Sequence, residues 1–259
     1  MPDITFIRDD AALHLRDAPL TLPEAYRLRV DTYWQSINRD GRYFNGQVLA
    51  ATQIDTTGPS VSIELALTDY AHYLFAAQDQ THEISCPALY CAVVILTSDR
   101  CLLLGEMAAH TSSPGQIQCP GGGIEISAEQ KIDVRACCQR ELEEEIGAAF
   151  WEDRLRFQPL CVKAGGDLAT IGLFYALLVR LDAEEALSIF ERHQSRLKAA
   201  GEKPEFDRLH AVKFEASSLR EFMEGREKRA VDYLVPLFLD RMDDITAALD
   251  LTDSRNPAD

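Results

Sequence analysis

Residues 140–147 read Arg-Glu-Leu-Glu-Glu-Glu-Ile-Gly, an acidic run that carries most of the functional information in this chain. On a helix that turns about 100° per residue, Glu141, Glu144 and Glu145 share an arc about 100° wide, and Glu143 points away from it. Like charges at these spacings repel by roughly 0.2–0.5 kcal/mol per pair. Clustered oxygen ligands are what a hard divalent cation requires, so the pattern indicates a metal site. A solvated acidic helix face is the competing interpretation.

The same stretch predicts how the helix is buried and where it ends. Its apolar stripe is predicted to consist of Val134, Cys138, Leu142 and Ile146. Gly147 suits the position just beyond a helix C-terminus, because glycine readily adopts a left-handed backbone there. Arg140 lies one turn before Glu144, and we expect it to brace that carboxylate by an i,i+4 ion pair.

The charge of the whole chain limits the classes of partner. The chain has 259 residues and carries 26 Lys and Arg against 42 Asp and Glu, a formal net charge of −16. Sequence-independent binding of nucleic acid needs a basic surface, and anionic membranes attract basic segments. We therefore expect neither nucleic acid nor a membrane as a partner. A phosphorylated substrate would require a cation between itself and these carboxylates.

We expect a cytoplasmic protein whose cysteines are reduced and buried. No apolar run approaches the roughly 18–20 residues of a transmembrane helix. Residues 1–5 lack the basic and apolar regions of a signal peptide. The seven cysteines are odd in number, form no C-x-x-C pair and lie mostly among apolar residues, which favours free thiols.

The first 85 residues are predicted to form a small α/β unit. Its expected elements are a helix that opens at residues 22–25, with Pro23 in its first turn, and runs towards Trp34, strands at 43–54 and 60–67 joined by a turn at 56–59, and a helix at 69–77. The polar residues 78–83 are the expected boundary to the rest of the chain.

The remaining residues are predicted to alternate strands and helices. The expected elements are strands at 90–97 and 101–104, a short strand between Gly115 and Pro120, the acidic helix, strands at 157–163 and 171–179, a helix at 183–199, a strand at 209–214 and a helical C-terminus. Asp182 and Glu185 have the spacing of a capping box. Pro236 is expected to bend or divide the last helix.

The acidic helix resembles the signature of the Nudix hydrolase family. That signature ends in R-E-U-x-E-E-x-G-U, where U is apolar, and it follows a glycine pair like the one after Pro120. The matching residues are Arg140, Glu141, Leu142, Glu144, Glu145 and Gly147, with Ala148 a weak fit to the final apolar position. The resemblance covers about residues 89–214. It implies an α/β/α sandwich with a mixed sheet at 86–259, preceded by a small N-terminal α/β extension at 1–85.

The spacing departs from the family pattern at one place. The family signature begins G-x5-E-x7-R, but the stretch from Gly122 to Arg140 is four residues too long. The expected glutamate falls on Ala128 when counted forward and on Ile132 when counted back, so Glu129 or Asp133 would have to substitute. Either Ser127 and Gln130 form a capping box and the helix gains one turn, or Asp133 caps the helix after a longer loop. We favour the second account.

The resemblance also implies a catalytic site. Glu141, Glu144 and Glu145, with the carbonyl of Gly121, would hold Mg²⁺ or Mn²⁺ ions that neutralise a diphosphate and activate a water. Glu144 and Glu145 are accordingly assigned as catalytic residues, and Arg140 would orient the glutamates. Glu205 is the candidate general base and Asp207 the next. The backbone of Gly122 and Gly123 is expected to lie against the substrate.

The substrate class follows from the resemblance rather than from the residues alone. We expect a small nucleotide, a nucleoside diphosphate linked to another moiety, that is cleaved at its diphosphate. The segment from Tyr43-Phe44 to Tyr73 is similar to the extension of a Nudix branch that acts on UDP-sugars, so UDP-glucose is the leading candidate. The alternative is a Nudix-fold module that binds nucleotides without hydrolysis. An RNA-decapping enzyme fits the charge poorly, and a homodimer is left open.

Overall fold

The computed structural model describes residues 1–41, 43–58, 60–79, 81, 83–127, 131–167 and 169–251. The strands in this part of the chain are β1 (Asp3–Phe6), β2 (Ala12–Leu15), β3 (Gln47–Asp55), β4 (Ser62–Asp69), β5 (Leu89–Leu96), β6 (Cys101–Met107), β7 (Ile117–Gln118), β8 (Arg154–Gly165), β9 (Thr170–Val179) and β10 (Phe206–Lys213). The α-helices are α1 (Glu24–Ile37), α2 (Tyr70–Gln78), α3 (Val134–Glu145), α4 (Ala149–Glu152), α5 (Ala183–Ala199), α6 (Ala216–Met223), α7 (Leu234–Phe238) and α8 (Met242–Ala248).

A seven-stranded mixed sheet forms the centre of the fold. Its order is β1-β8-β9-β5-β6-β10, and β7 pairs with β6. β5 runs parallel to β9, whereas the other pairs are antiparallel. The predicted α/β class with a mixed sheet is confirmed.

Helices cover both faces of this sheet, because its central strand is apolar on both sides. Alternate residues of β5 belong to two different cores: Leu89, Cys91, Val93 and Ile95 face one, and Ala92, Val94 and Leu96 face the other. The first core is covered by α3, α4 and α5, and the second by α6, α7 and α8. A continuous apolar strand between two helical layers is the pattern of an α/β/α sandwich.

The N-terminal residues form a three-stranded sheet, β2-β4-β3, with α1 and α2 packed together beside it. The predicted β3–β4 hairpin and both helices are confirmed, although Pro23 precedes α1 as its N-cap rather than lying in the first turn. Residues 43–46 are not part of β3. β1 and β2 were not predicted. Because β1 pairs with β8 in the large sheet, the proposed unit at 1–85 contributes a strand to the proposed domain at 86–259.

In the second half of the chain, the start of α5 agrees with its prediction and Pro236 does not. The capping box of Asp182 and Glu185 is confirmed at the start of α5. Pro236 does not bend a helix: it occupies the first turn of the short helix α7, where a missing backbone N–H leaves no hydrogen bond unmade. All seven cysteines are buried, as predicted. Within the described residues, no helix has the length and apolar character needed to cross a membrane.

Candidate functional site

The acidic helix α3 begins where the second account of the long spacing places it. The side chain of Asp133 accepts a hydrogen bond of 2.9 Å from the backbone N–H of Ala136, so Asp133 is the N-cap and is not available as an auxiliary carboxylate. The helix ends with Glu145, and Gly147 follows with φ +115°. Glu129, the other candidate for the auxiliary carboxylate, and Gln130, the partner of Ser127 in the alternative capping box, lie outside the described residues.

The three predicted carboxylates lie on one side of α3 but differ in exposure. Glu145 is 3% exposed, and its Oε2 accepts a hydrogen bond of 2.9 Å from the N–H of Gly121. Its Oε1 is buried and has no hydrogen-bond partner in the part of the chain that the structure describes. Glu141 is largely buried and Glu144 is exposed. The helix therefore presents a buried, an intermediate and an accessible carboxylate.

The glycine turn after Pro120 fits between α3 and the central strand. It runs antiparallel to β5, where the N–H groups of Cys91 and Val93 donate to the carbonyls of Gly122 and Pro120 at 2.9 and 2.8 Å. A Cβ on Gly121, whose φ is +149°, would lie 2.2 Å from the carbonyl oxygen of Cys91. The absence of a side chain there allows the turn to approach the sheet.

The next two glycines differ in their surroundings. A Cβ on Gly122 would lie 2.6 Å from Oε2 of Glu141, so this glycine makes room for a carboxylate of α3. A Cβ on Gly123 would meet no atom of the described residues within 4 Å. Of the two predicted substrate-binding glycines, Gly123 has the open surroundings.

Burial and mutual repulsion make the ionised carboxylates unfavourable. Burial raises the pKa of Glu145 well above its usual range, and the charges of Glu205 and Glu141 raise it further. Burial also raises the pKa of Glu141 from 4.5 to about 7; Arg140 opposes this shift, and the charges of Glu144 and Glu205 add to it. Such a cluster is stabilised by a positive charge placed among the carboxylates.

Arg140 pairs with Glu141, so the prediction that it pairs with Glu144 is wrong. The guanidinium donates to Oε1 of Glu141 at 2.8 Å and lies 3.4 Å from Oε2 of Glu125, and it makes no ion pair with Glu144. Glu144 is exposed to water, whereas Glu141 is desolvated against the glycine turn. Because water screens its charge less, Glu141 attracts the guanidinium more strongly. Glu125, which the spacing did not single out, thereby joins the edge of the site.

A cleft of about 590 Å³ connects these carboxylates to Glu205, the first candidate base. It lies between the second half of α3, the end of α5 and the residues before β10, and Glu205 lines it. The backbone carbonyl of Glu205 accepts a hydrogen bond of 2.7 Å from the N–H of Ala108, which fixes this segment beside β6. Glu143, predicted to point away, also lines the cleft, and Asp207 is not among its lining residues in the described part of the chain.

Two residues of α5 that the sequence analysis did not assign to the site hold the C-terminus of α3. His193 Nε2 donates to the carbonyl of Glu144 at 2.8 Å, and Gln194 Nε2 donates to the carbonyl of Glu145 at 3.4 Å. Arg196 donates to Nδ1 of His193 at 3.2 Å, which leaves the proton on Nε2. These donors satisfy helix-end carbonyls and fix the backbone beneath the carboxylates. No local sequence signal links positions so far apart in the chain.

The carboxylates of α3 and the Gly121 carbonyl are the candidate ligands for a divalent metal. Across the described ranges, no group of three or more His, Cys, Asp and Glu side chains is arranged to hold a metal ion. Nevertheless, Glu145 has a buried oxygen without a partner, and no hydrogen bond among the described residues uses the carbonyl of Gly121. Carboxylate and carbonyl oxygens are the ligands that Mg²⁺ and Mn²⁺ prefer, so the chemistry of the residues fits such an ion.

No family model matches the sequence, and no curated protein matches it. Among solved structures, the chain is similar to DR0079 from Deinococcus radiodurans, with 13% identity over 76% of this chain and 99% of that chain and a TM-score of 0.46. It is also similar to the NUDIX domain of Shewanella oneidensis NrtR, crystallised with ADP ribose, with 13% identity, coverage of 71% and 100%, and a TM-score of 0.38.

A third similar structure is the bifunctional NMN adenylyltransferase/ADP ribose pyrophosphatase of Francisella tularensis, in complex with AMP and a Mn ion. The identity is 10%, the match covers 63% of this chain and 43% of that chain, and the TM-score is 0.39. These likenesses are weak, so we infer function from the residues of the chain itself.

Proposed function

We propose that the chain is a divalent-metal-dependent pyrophosphohydrolase of the Nudix type. The supporting observation is the position of Glu141 and Glu145, which lie side by side against the glycine turn while Glu145 keeps a buried oxygen without a partner. This desolvated pair is destabilised when both carboxylates are ionised. The resemblance of the R-E-L-x-E-E-x-G pattern to the Nudix signature supports diphosphate hydrolysis as the reaction.

Each residue has a role in this proposal. Glu141, Glu144, Glu145 and the Gly121 carbonyl would hold Mg²⁺ or Mn²⁺, and the bound ion would neutralise the diphosphate and lower the pKa of a water. Arg140 keeps Glu141 in place through their 2.8 Å hydrogen bond.

Glu205, across the cleft, accepts a proton from the attacking water as the new P–O bond forms. The bridging P–O bond breaks, and the two products are a nucleoside monophosphate and a phosphorylated second moiety. Gly123, together with Gly122, provides the backbone that lies against the substrate.

The substrate proposed is a nucleotide sugar such as UDP-glucose. Its support is the similarity of the N-terminal segment to the extension of the UDP-sugar branch. In that segment Tyr43, Tyr70 and Tyr73 form a contiguous aromatic cluster, with ring centroids 6.5 and 5.8 Å apart. The partner proposed is a small nucleotide, and the net charge of −16 disfavours nucleic acid and anionic membranes.

The test is an assay of UDP-glucose hydrolysis with Mg²⁺. The phosphorylated products are cleaved in a coupled reaction, and the inorganic phosphate released is measured. Glu144→Gln and Glu145→Gln are expected to lose at least about a hundredfold in kcat/KM. Glu191→Gln, an exposed glutamate of α5 outside the cleft, is the matched control and should stay near the wild type. Activity of Glu144→Gln within a few-fold of wild type would refute the proposed function. A substrate panel including UDP-glucose and ADP-ribose tests the finer assignment.

One observation favours a second candidate, a nucleotide-binding module without hydrolysis. No group of three acidic or histidine ligands within the described ranges is arranged around one point, and the stretch before Arg140 is longer than the family pattern. Such a module would bind UDP-glucose by calorimetry and release no product with any divalent metal. Metal-dependent turnover would exclude this alternative.

A further inference from the structure

A second cleft lies on the opposite end of α3 from the carboxylates. It has a volume of about 530 Å³ and is lined by four arginines and two aromatic rings: Arg135, Arg154, Arg156, Arg180, Trp151 and Phe157. These residues come from the first turn of α3, from α4, from the start of β8 and from the position just after β9. Four arginines around one cleft are notable in a chain whose net charge is −16.

Two of the arginines are held in place without being neutralised. Arg154 donates to the backbone carbonyl of Trp151 at 2.6 Å, and its guanidinium lies 4.6 Å from the centroid of the indole ring. Arg180 donates to the carbonyl of Arg154 at 3.2 Å. Neither has a carboxylate within 4.0 Å in the described part of the chain. Both guanidiniums therefore keep further N–H donors that are available to an anion.

The other charges of the cleft nearly balance. Arg135 pairs with Asp10 at 2.9 Å, and Arg156 lies 3.7 Å from the exposed carboxylate of Asp250. Glu152 also lines the cleft. Asp10 and Asp250 pair with Arg135 and Arg156, whereas Arg154 and Arg180 face only the unpaired Glu152. The four arginines thus outweigh the three carboxylates, and the cleft retains a net positive charge.

The lining matches a ligand that combines phosphate with a planar ring. The guanidinium fork donates two parallel hydrogen bonds to a phosphate, and an aromatic wall stacks on a base. Trp151 and Phe157 meet edge to face with centroids 4.8 Å apart, and Leu155, 57% exposed, extends the apolar side. The volume falls within the roughly 300–1,000 Å³ of small-molecule sites. We propose that this arginine cleft binds a nucleoside phosphate.

This site is distinct from the proposed catalytic cleft. The two clefts share no lining residue. Arg135 and Glu144 are nine positions apart on α3, which separates them by about 13 Å along the helix axis. Binding at the arginine cleft therefore needs neither the carboxylates of α3 nor a divalent cation.

The two tryptophans of the chain provide a local probe. In a Trp34→Phe background, Trp151 is the remaining indole, so its fluorescence reports on the cleft. The probes are UMP, AMP, uridine and inorganic pyrophosphate, titrated in excess EDTA so that metal-dependent hydrolysis does not occur. We expect saturable quenching by the nucleotides, with calorimetry giving the same affinity, and much weaker binding of uridine and of pyrophosphate.

Variants locate the binding. Arg154→Ala and Arg180→Ala should each weaken nucleotide binding about tenfold or more, the cost of one charge-assisted hydrogen bond. Arg180→Gln repeats the test with a shape closer to arginine, and circular dichroism checks that each variant is folded. Arg192→Ala is the matched control and should bind normally, because Arg192 is an exposed arginine of α5 that donates to Ser188 and lies outside the cleft.

Three results would overturn the proposal. These are no nucleotide binding in EDTA up to millimolar concentration, equal weakening by Arg180→Gln and Arg192→Ala, or equal affinity for pyrophosphate and UMP. Glu144→Gln should leave this binding unchanged, so the proposed hydrolysis can fail while the arginine cleft still binds, and the reverse also holds.

Discussion

Replacing Glu141 by glutamine should stabilise the metal-free protein at neutral and alkaline pH. The side chain is 14% exposed, and burial raises its pKa from 4.5 to about 7. The folded protein therefore binds a proton at Glu141 more tightly than the unfolded chain does. The stability that this proton contributes is fully present below pH 4.5 and is lost as the pH rises through 7.

The size of the effect follows from the two pKa values. The difference between 4.5 and about 7, at about 1.36 kcal/mol for each pH unit, is on the order of 3 kcal/mol. Glutamine cannot ionise and fills nearly the same space beside Gly122. Glu141→Gln should therefore be about 3 kcal/mol more stable than the wild type above pH 8 and nearly equal to it at pH 4.5.

The assay is urea unfolding in EDTA at several pH values from 4.5 to 8.5 or so, with the free energy of unfolding extrapolated to water. Glu191→Gln, on the exposed side of α5 and outside the cleft, is the matched control for the loss of one negative charge. If the free energies of unfolding of Glu141→Gln and the wild type change in parallel between pH 5 and 8, ionisation of Glu141 does not destabilise the fold and the prediction is refuted.

Three further substitutions test the supports of the site. Gly121→Ala places a methyl group against the carbonyl of Cys91 and should destabilise the fold by at least about 2 kcal/mol in urea; a smaller loss would contradict the close approach of the turn. His193→Ala removes the donor to the Glu144 carbonyl and should cost about 1–2 kcal/mol and accelerate amide exchange at the end of α3; unchanged exchange there would refute the capping role. Asp182→Ala should cost about 1 kcal/mol in thermal or urea unfolding while hydrolysis stays normal; a loss of activity would link this helix start to the site.

The acidic helix could be predicted from sequence because its determinants are local. Asp133, the apolar stripe and Gly147 lie within fifteen consecutive residues, and each acts through the helix backbone or its buried side. The arc of carboxylates follows from helix geometry alone. The strands of the central sheet were likewise visible as apolar runs, since β5 and β9 are buried on both sides.

The environment of the site depended on tertiary contacts and could not be predicted. Helical geometry gives the direction of Glu145 but not its burial, which depends on how the glycine turn packs against β5. His193 lies 49 residues from its partner in α3. Arg140 pairs with the desolvated Glu141 rather than with Glu144, the residue at the i,i+4 spacing. The four-residue strands β1 and β2 are too short to show a period.

The pairing of β1 has a consequence for how the chain can be divided. β1 lies at the edge of the large sheet and takes up the hydrogen bonds of β8, from Asp3 opposite Ala164 to Phe6 opposite Cys161. A chain that began at residue 86 would leave this edge of β8 bare, with an apolar row at Leu160 to Val162 beside it. Exposed apolar edges recruit strands from other molecules. β1 replaces this long edge by a four-residue edge strand, and very short edge strands are one way in which sheets avoid pairing with other molecules. We therefore expect a protein that begins at residue 86 to aggregate under conditions in which the full chain stays monodisperse.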